Sequence, residues 1–190
     1  FIGSIFLMTN GVSAIFGGFE FSYHVKEMRN VFKGYFLAML VSIIIVAFLL
    51  ITVVIIIFFE LILKYYVSLG WLEDHITWLQ IIRGIIFLTM IFSTVSMLYY
   101  YGVKDAKYTK FFSPGAIFTT ILSVLSFYLF GFYVTEFAKY NELYGSIGTL
   151  LIIMLFIWLN AIILLLGFEL NASIYSLQVL NKSKSTSKNV

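Results

Sequence analysis

A chain of 190 residues with 62% hydrophobic and 11% charged positions lies far from the balance of a water-soluble domain. Its formal charge of +3 and pI near 9.0 come from basic residues spread over short connections, which fits loops beside anionic lipid and not a nucleic-acid face. Cysteine is absent, so disulfides, thiolate metal sites and a cysteine nucleophile are excluded.

The chain opens at Phe1 inside an apolar stretch, and Phe1 to about Gly18 is expected to be a partial membrane helix whose beginning is missing. Thr9, Asn10, Gly11 and Ser13 soften it. The connector FEFSYHVKEMRN is too charged for a membrane core, and its aromatic and basic mix predicts an interfacial helix on the inner leaflet. The run VSIIIVAFLLITVVIIIFF, Val41 to Phe59, then lies within a predicted helix over about Gly34 to Lys64. A helix needs roughly 20 apolar residues to cross the hydrocarbon, so this one is expected to tilt or project. Tyr65, Tyr66, Trp71 and Trp78 follow as an aromatic belt. The next crossing, Ile81 to Tyr101, carries Arg83 near its outer end, where it is expected to snorkel outward or to pair with Glu73 or Asp74. Pro114 opens the helix that holds Ile117 to Tyr133, since proline suits a first helical turn. Gly148 to Phe168 is the last apolar run, and the polar end NKSKSTSKNV is expected to be disordered. The expected organisation is therefore a helical membrane domain over 1–175 and a cytoplasmic tail over 176–190, with no internal repeat.

The basic residues alternate between the connections. Lys26, Arg29 and Lys33 precede the first full crossing, and only Lys64 follows it. Lys104, Lys107 and Lys110 come next, then Lys139 alone, then Lys182, Lys184 and Lys188. The positive-inside rule puts the 20–33 and 102–113 connections and the C-terminus in the cytoplasm. The first segment then enters from outside. The fold class is all-α: a polytopic transmembrane bundle with four complete membrane helices and a partial N-terminal one.

The stretch KYNELYGSIGTLLIIMLFIWLNAIILLLGFELNA resembles the signature end of the YihY/BrkB family of inner-membrane proteins. Its YNxxYGSxG pattern is carried by Tyr140, Asn141, Tyr144, Gly145, Ser146 and Gly148, and its ELN by Glu169, Leu170 and Asn171. Pro114, Gly115 and Ala116 resemble the family's PGA element, and TNGVSAIFGGFEFSYHV resembles its second membrane helix and connector. The likeness covers nearly the whole chain except the tail. It implies a bundle of about six helices with both termini inside, so that the first helix and part of the second would precede Phe1. Members of the family have carried the name ribonuclease BN and are otherwise treated as transporters, with lipids among the proposed cargo. Asn10–Gly11 departs from the serine and basic residue common there in the family. Asn160 departs from the family's apolar or small residue.

Several residues have both a functional and a structural reading. Gly145, Ser146 and Gly148 open the last helix as a packing and turn element, or as an outward gate or binding rim with Tyr140, Asn141 and Tyr144. At about 100° per residue, Thr149, Asn160, Gly167 and Asn171 form one small-and-polar stripe, either an interhelical seam or the wall of a hydrophilic path. Glu169 shares its face with Trp158, Ile162 and Leu165, half a turn away from that stripe. It reads as an interfacial anchor paired with Lys104 or Lys107, or as a gating carboxylate. Thr9, Asn10 and Ser13 are expected to satisfy Asn171 or Glu169 across the bundle.

The chemistry of an enzyme is hard to find here. His24 and His75 fall on opposite sides of the predicted membrane, and HExxH, GxxxxGK[ST] and GxSxG are all missing. A metal-dependent nuclease needs grouped carboxylates, whereas Glu20, Glu27 and Asp105 are scattered among lysine and arginine. The expectation is a non-enzymatic, multi-pass protein of a bacterial inner membrane, with no cofactor, no metal and no nucleic-acid partner. The expected role is transport of a lipid or other amphipathic substrate, with membrane lipids as partners. The alternative is a membrane scaffold that binds other envelope proteins.

Overall fold

The computed structural model describes residues 2–21, 30–68, 76–103, 110–137 and 141–188, with side chains described over 3–21, 30–66, 80–103, 110–135 and 148–181. It is all helix: α1 (Ile2–Glu20), α2 (Val31–Ser68), α3 (Ile76–Gly102), α4 (Pro114–Phe137) and α5 (Asn141–Lys188). Among the described residues there is no strand. Four of the helices contain a stretch long and apolar enough to cross a membrane: Val31–Tyr66, Gln80–Gly102, Pro114–Thr135 and Gly148–Asn181. Of the predicted interfacial connector, 19–30, Phe19 and Glu20 belong to α1, and 22–29 lie outside the described residues.

Helix boundaries follow local chemistry. At the start of α2, the Asn30 side chain accepts the Phe32 N–H at 3.3 Å and its carbonyl accepts the Gly34 N–H at 2.9 Å. The first bond takes up one of the donors that a helix start leaves unpaired, and the second is the first bond of the helix itself. At α4, Ser113 caps and Pro114 takes the first helical position, where the N–H it lacks has no intrahelical partner anyway. α2 has 38 residues and extends about 57 Å, well beyond the thickness of the hydrocarbon. α5 runs without a break to Lys188, so residues 181–188 of the end predicted as disordered continue the helix, and 189–190 lie outside the described residues.

The core lies at one end of the bundle, where α1 finishes, α2 begins and α4 opens at Pro114. Thr9, Val12, Phe16 and Phe19 make one buried face of α1 at spacings of three and four residues. Val12, Phe16 and Phe19 pack in one cluster with Ala38 and Val41 of α2, Val95, Leu98 and Tyr99 of α3, Ala116 of α4, and Phe168 of α5. Toward the opposite end the apolar side chains turn outward. Most of the large apolar residues of α2 from Ile43 to Ile62 are exposed, as a lipid-facing surface would be. There Arg83 meets Glu60 at 2.9 Å, and Glu60 also meets Lys64 at 3.7 Å. The partner of Arg83 is thus on the neighbouring helix α2. Glu73 and Asp74, the predicted partners, lie outside the described residues. Tyr65 and Tyr66 of the predicted belt are exposed and pack edge to face, whereas the side chains of Trp71 and Trp78 lie outside the described residues.

Candidate functional site

The predicted small-and-polar stripe of α5 faces α4 and becomes more buried toward the Pro114 end. Thr149 is exposed, Asn160 half-buried, and Gly167 and Asn171 buried. The α4 side answers with Ser113, Thr119 and Ser126, all buried and bonded to α5. In mid-helix Asn160 donates to the Ser126 hydroxyl at 3.2 Å and to the Phe156 carbonyl of its own helix at 2.9 Å.

One turn beyond Ile163, the contact becomes a backbone-to-backbone approach. A Cβ added to Gly167 would collide with Thr119 Oγ1, Tyr99 Oη and the Gly115 carbonyl oxygen. A Cβ on Gly115 would collide with the Gly167 carbonyl and with the Asn171 side chain. Both glycines are therefore needed for closeness, which in a bilayer replaces the water-driven collapse of soluble cores. Into this gap Tyr99 sends its hydroxyl, donating to the Leu164 carbonyl at 2.8 Å. With that proton committed, the 2.5 Å contact between Tyr99 and Thr119 takes its proton from Thr119. The Ile163 carbonyl, at 3.5 Å, is Thr119's longer alternative acceptor.

Asn171 completes the clasp. Its Oδ1 accepts the Gly115 N–H at 2.7 Å and its Nδ2 donates to Ser113 Oγ at 2.9 Å. The same Ser113 oxygen accepts the Ala116 N–H at 3.2 Å, and the Ser113 carbonyl accepts the Ile117 N–H at 3.2 Å. The first-turn donors of α4 are thus spent inside the protein. The expected partners of Asn171 in α1 are engaged elsewhere: Thr9 donates to the Ile5 carbonyl at 2.7 Å, and Asn10, exposed, accepts from the Tyr35 hydroxyl at 3.2 Å. Beside the clasp, Phe19 stacks on Phe168 with centroids 4.6 Å apart and meets Tyr99 edge to face at 5.5 Å. Gly102 leaves room for that ring, since a Cβ there would stand 2.6 Å from it.

Other predicted site residues stand apart. Glu169 is half-buried on a different face of α5, and Lys104 and Lys107 lie outside the described residues. Gly148 is half-buried at the far end. Asn141, Tyr144, Gly145 and Ser146 belong to the first turns of α5, but their side chains, like all of Tyr140, lie outside the described residues. Among the described residues no three His, Cys, Asp or Glu side chains come together as metal ligands.

Two cavities flank the start of α4. One, of about 370 Å³, is a cleft between α3 and α4 lined by Leu88, Phe92, Phe111, Phe112, Ile117 and Ile121. Two of the hydroxyls on its wall are committed within their own helices, Thr89 to Ile85 and Thr120 to Ala116, so the cleft presents a mainly apolar surface. The other, of about 290 Å³, mixes polar and apolar walls. Lys110, Ser113 and Asn171 border it, together with Tyr175 and Gln178 from α5. Phe112, 75% exposed, is common to both cavities. It packs against Phe92 and Phe111 at 5.3 and 5.5 Å. Sequence reasoning missed Tyr99, Thr119, Ser113 and this pair of cavities. Gly167 on the polar stripe and the PGA element were the available pointers.

Long apolar helices joined by glycine and amide contacts define a polytopic α-helical membrane protein. Within that class the chain belongs to the family described as virulence factor BrkB, whose model matches residues 1–189. It is 28% identical over 188 residues to the ribonuclease-like protein YfkH of Bacillus subtilis (strain 168), covering 92% of this chain and 64% of the relative. A UPF0761 membrane protein of Pseudoalteromonas translucida (strain TAC 125) is 39% identical over 61 residues, 32% of this chain and 20% of its own length. Another UPF0761 membrane protein, from Idiomarina loihiensis (strain ATCC BAA-735 / DSM 15497 / L2-TR), is 30% identical over 95 residues, covering 49% of this chain and 34% of the relative. The chain therefore spans less than two thirds of these relatives. No solved structure matches it.

Proposed function

We propose that this membrane protein accommodates and moves a lipid or similar amphipathic molecule along its α3–α4 face. The observation that supports the reading is the cleft between those helices, which is lined chiefly by leucine, isoleucine and phenylalanine side chains. A groove of this kind suits an acyl chain. An ion path would need rings of charge or of backbone carbonyls. The polar seam between α4 and α5 does not compete for this role. Its hydroxyls and amides bond to one another, and Gly167 lacks room even for a methyl group.

The test is lipid exchange in proteoliposomes reconstituted with the full chain. Fluorescent phospholipid should cross between leaflets faster than in protein-free vesicles, and Ile121→Trp, which fills the cleft, should slow it. Exchange no faster than in empty vesicles, together with an unchanged lipid distribution in cells lacking the protein, would overturn the proposal. That pair of results would favour a scaffold.

A further inference from the structure

The second cavity carries a more specific inference, which rests on the lipid reading above. We infer that the pocket bordered by Lys110, Tyr175 and Gln178 binds the anionic headgroup of a phospholipid whose acyl chain lies across Phe112 in the α3–α4 cleft.

Three observations converge on this. Among the described residues that line the pocket, Lys110 is the one charged side chain and the other polar groups are neutral. The favoured occupant is therefore an anion. The pocket also lies at the Pro114 end of α4, where its apolar stretch begins, and the cleft is lined by the next two turns, Ile117 to Ile121. Polar and apolar compartments thus follow one another in the order of a lipid's headgroup and chain. Finally, the two cavities share Phe112, and an exposed phenylalanine at that junction is an apolar edge over which a glycerol backbone can lie.

The arrangement also says which atoms recognise the ligand. A helix start often binds anions through its free N–H groups, but in α4 Pro114 has none, Gly115 gives its own to Asn171, and Ala116 and Ile117 give theirs to Ser113. Recognition therefore falls chiefly to the Lys110 ammonium, with the Gln178 amide beside it on the pocket wall. The α4 dipole adds only a favourable field. Volumes of about 290 and 370 Å³ hold a headgroup and a length of chain, leaving the rest of the lipid in the bilayer.

The experiment uses the full chain in nanodiscs and has two arms. In the first, lipid retained by the purified protein is counted by native mass spectrometry after exposure to equal phosphatidylglycerol and phosphatidylcholine. Wild type should retain phosphatidylglycerol preferentially, Lys110→Gln should lose about fivefold of that preference, and Lys110→Arg should keep it. Excess inorganic phosphate should not displace the lipid; displacement would mean a site for the free anion and would overturn the assignment. In the second arm, tryptophan placed at Phe112 in a variant with Trp71, Trp78 and Trp158 changed to phenylalanine should be quenched by lipid brominated on its acyl chain. Quenching with equal retention of both headgroups by wild type and Lys110→Gln would overturn the headgroup site and leave the cleft reading standing. No quenching would remove both.

Discussion

The two ends of this bundle are built from different residues and hold together to different degrees. At the Pro114 end, glycine meets glycine, Asn171 ties Ser113 to Gly115, and Phe19, Tyr99 and Phe168 are fully buried. At the far end, isoleucine, leucine and phenylalanine are more abundant, yet most of them are exposed. Contacts between helices are single features, such as Arg83 with Glu60 and Phe130 stacked on Phe156 at 4.1 Å. In water the richer apolar end would form the core. In a bilayer the lipid is as apolar as the side chain, so association depends on close backbone approach and polar complementarity. Apolar residues make the helices members of the membrane, and the small and polar ones decide where they meet.

Exchanging glycine for alanine gives the sharpest way to break the comparison. Gly167→Ala should cost about 1–3 kcal/mol, because its methyl group runs into a carbonyl and two bonded hydroxyls. Gly131→Ala, at the far end, meets nothing within 4 Å and should stabilise α4 by up to about 1 kcal/mol through helix propensity. Unfolding of the two variants in mixed micelles, followed by circular dichroism, should move in opposite directions. Equal shifts would mean that both ends pack alike.

Removing the clasp amide comes next. Asn171→Leu leaves the Gly115 N–H buried without its acceptor and should cost about 2 kcal/mol in the same assay. Tyr99→Phe keeps the ring and deletes bonds to Thr119 and Leu164, with an expected loss of about 1 kcal/mol. Midway along the seam, Asn160→Ala should lose only about 0.6 kcal/mol. A double-mutant cycle with Ser126→Ala should assign part of that loss to the bond between them. The smallest effect belongs to Arg83→Gln, below about 1 kcal/mol, since the ion pair is half-exposed. A larger loss there than at Asn171 would reverse the ranking of the two ends.

The legibility of these features in the sequence was uneven. Asn160, Gly167 and Asn171 share one face by helical arithmetic alone, and the structure makes that face the α4–α5 seam. Which residues oppose it was not legible. Tyr99 is the first of three consecutive tyrosines, and nothing local separates it from the exposed Tyr100 and Tyr101. Ser113 reads as an ordinary helix cap until Asn171, 58 residues away, donates to it. For Arg83 the sequence reading offers Glu73 or Asp74, whereas the antiparallel register of α2 and α3 brings Glu60 to it.

By itself the sequence determined that this is a multi-helix membrane protein, where its apolar helices lie, and that α4 begins at Pro114. Each of these depends on properties carried along a single helix: apolar length, helical period and the missing N–H of proline. Tertiary structure alone decided that the polar stripe closes on α4 as a seam and that Asn171 consumes the start of that helix. It also decided that a cleft and a lysine-bordered pocket meet at Phe112. These depend on which helices are neighbours and in what register, and in a bilayer that choice rests on a few glycines and hydrogen bonds whose partners lie far apart in the chain.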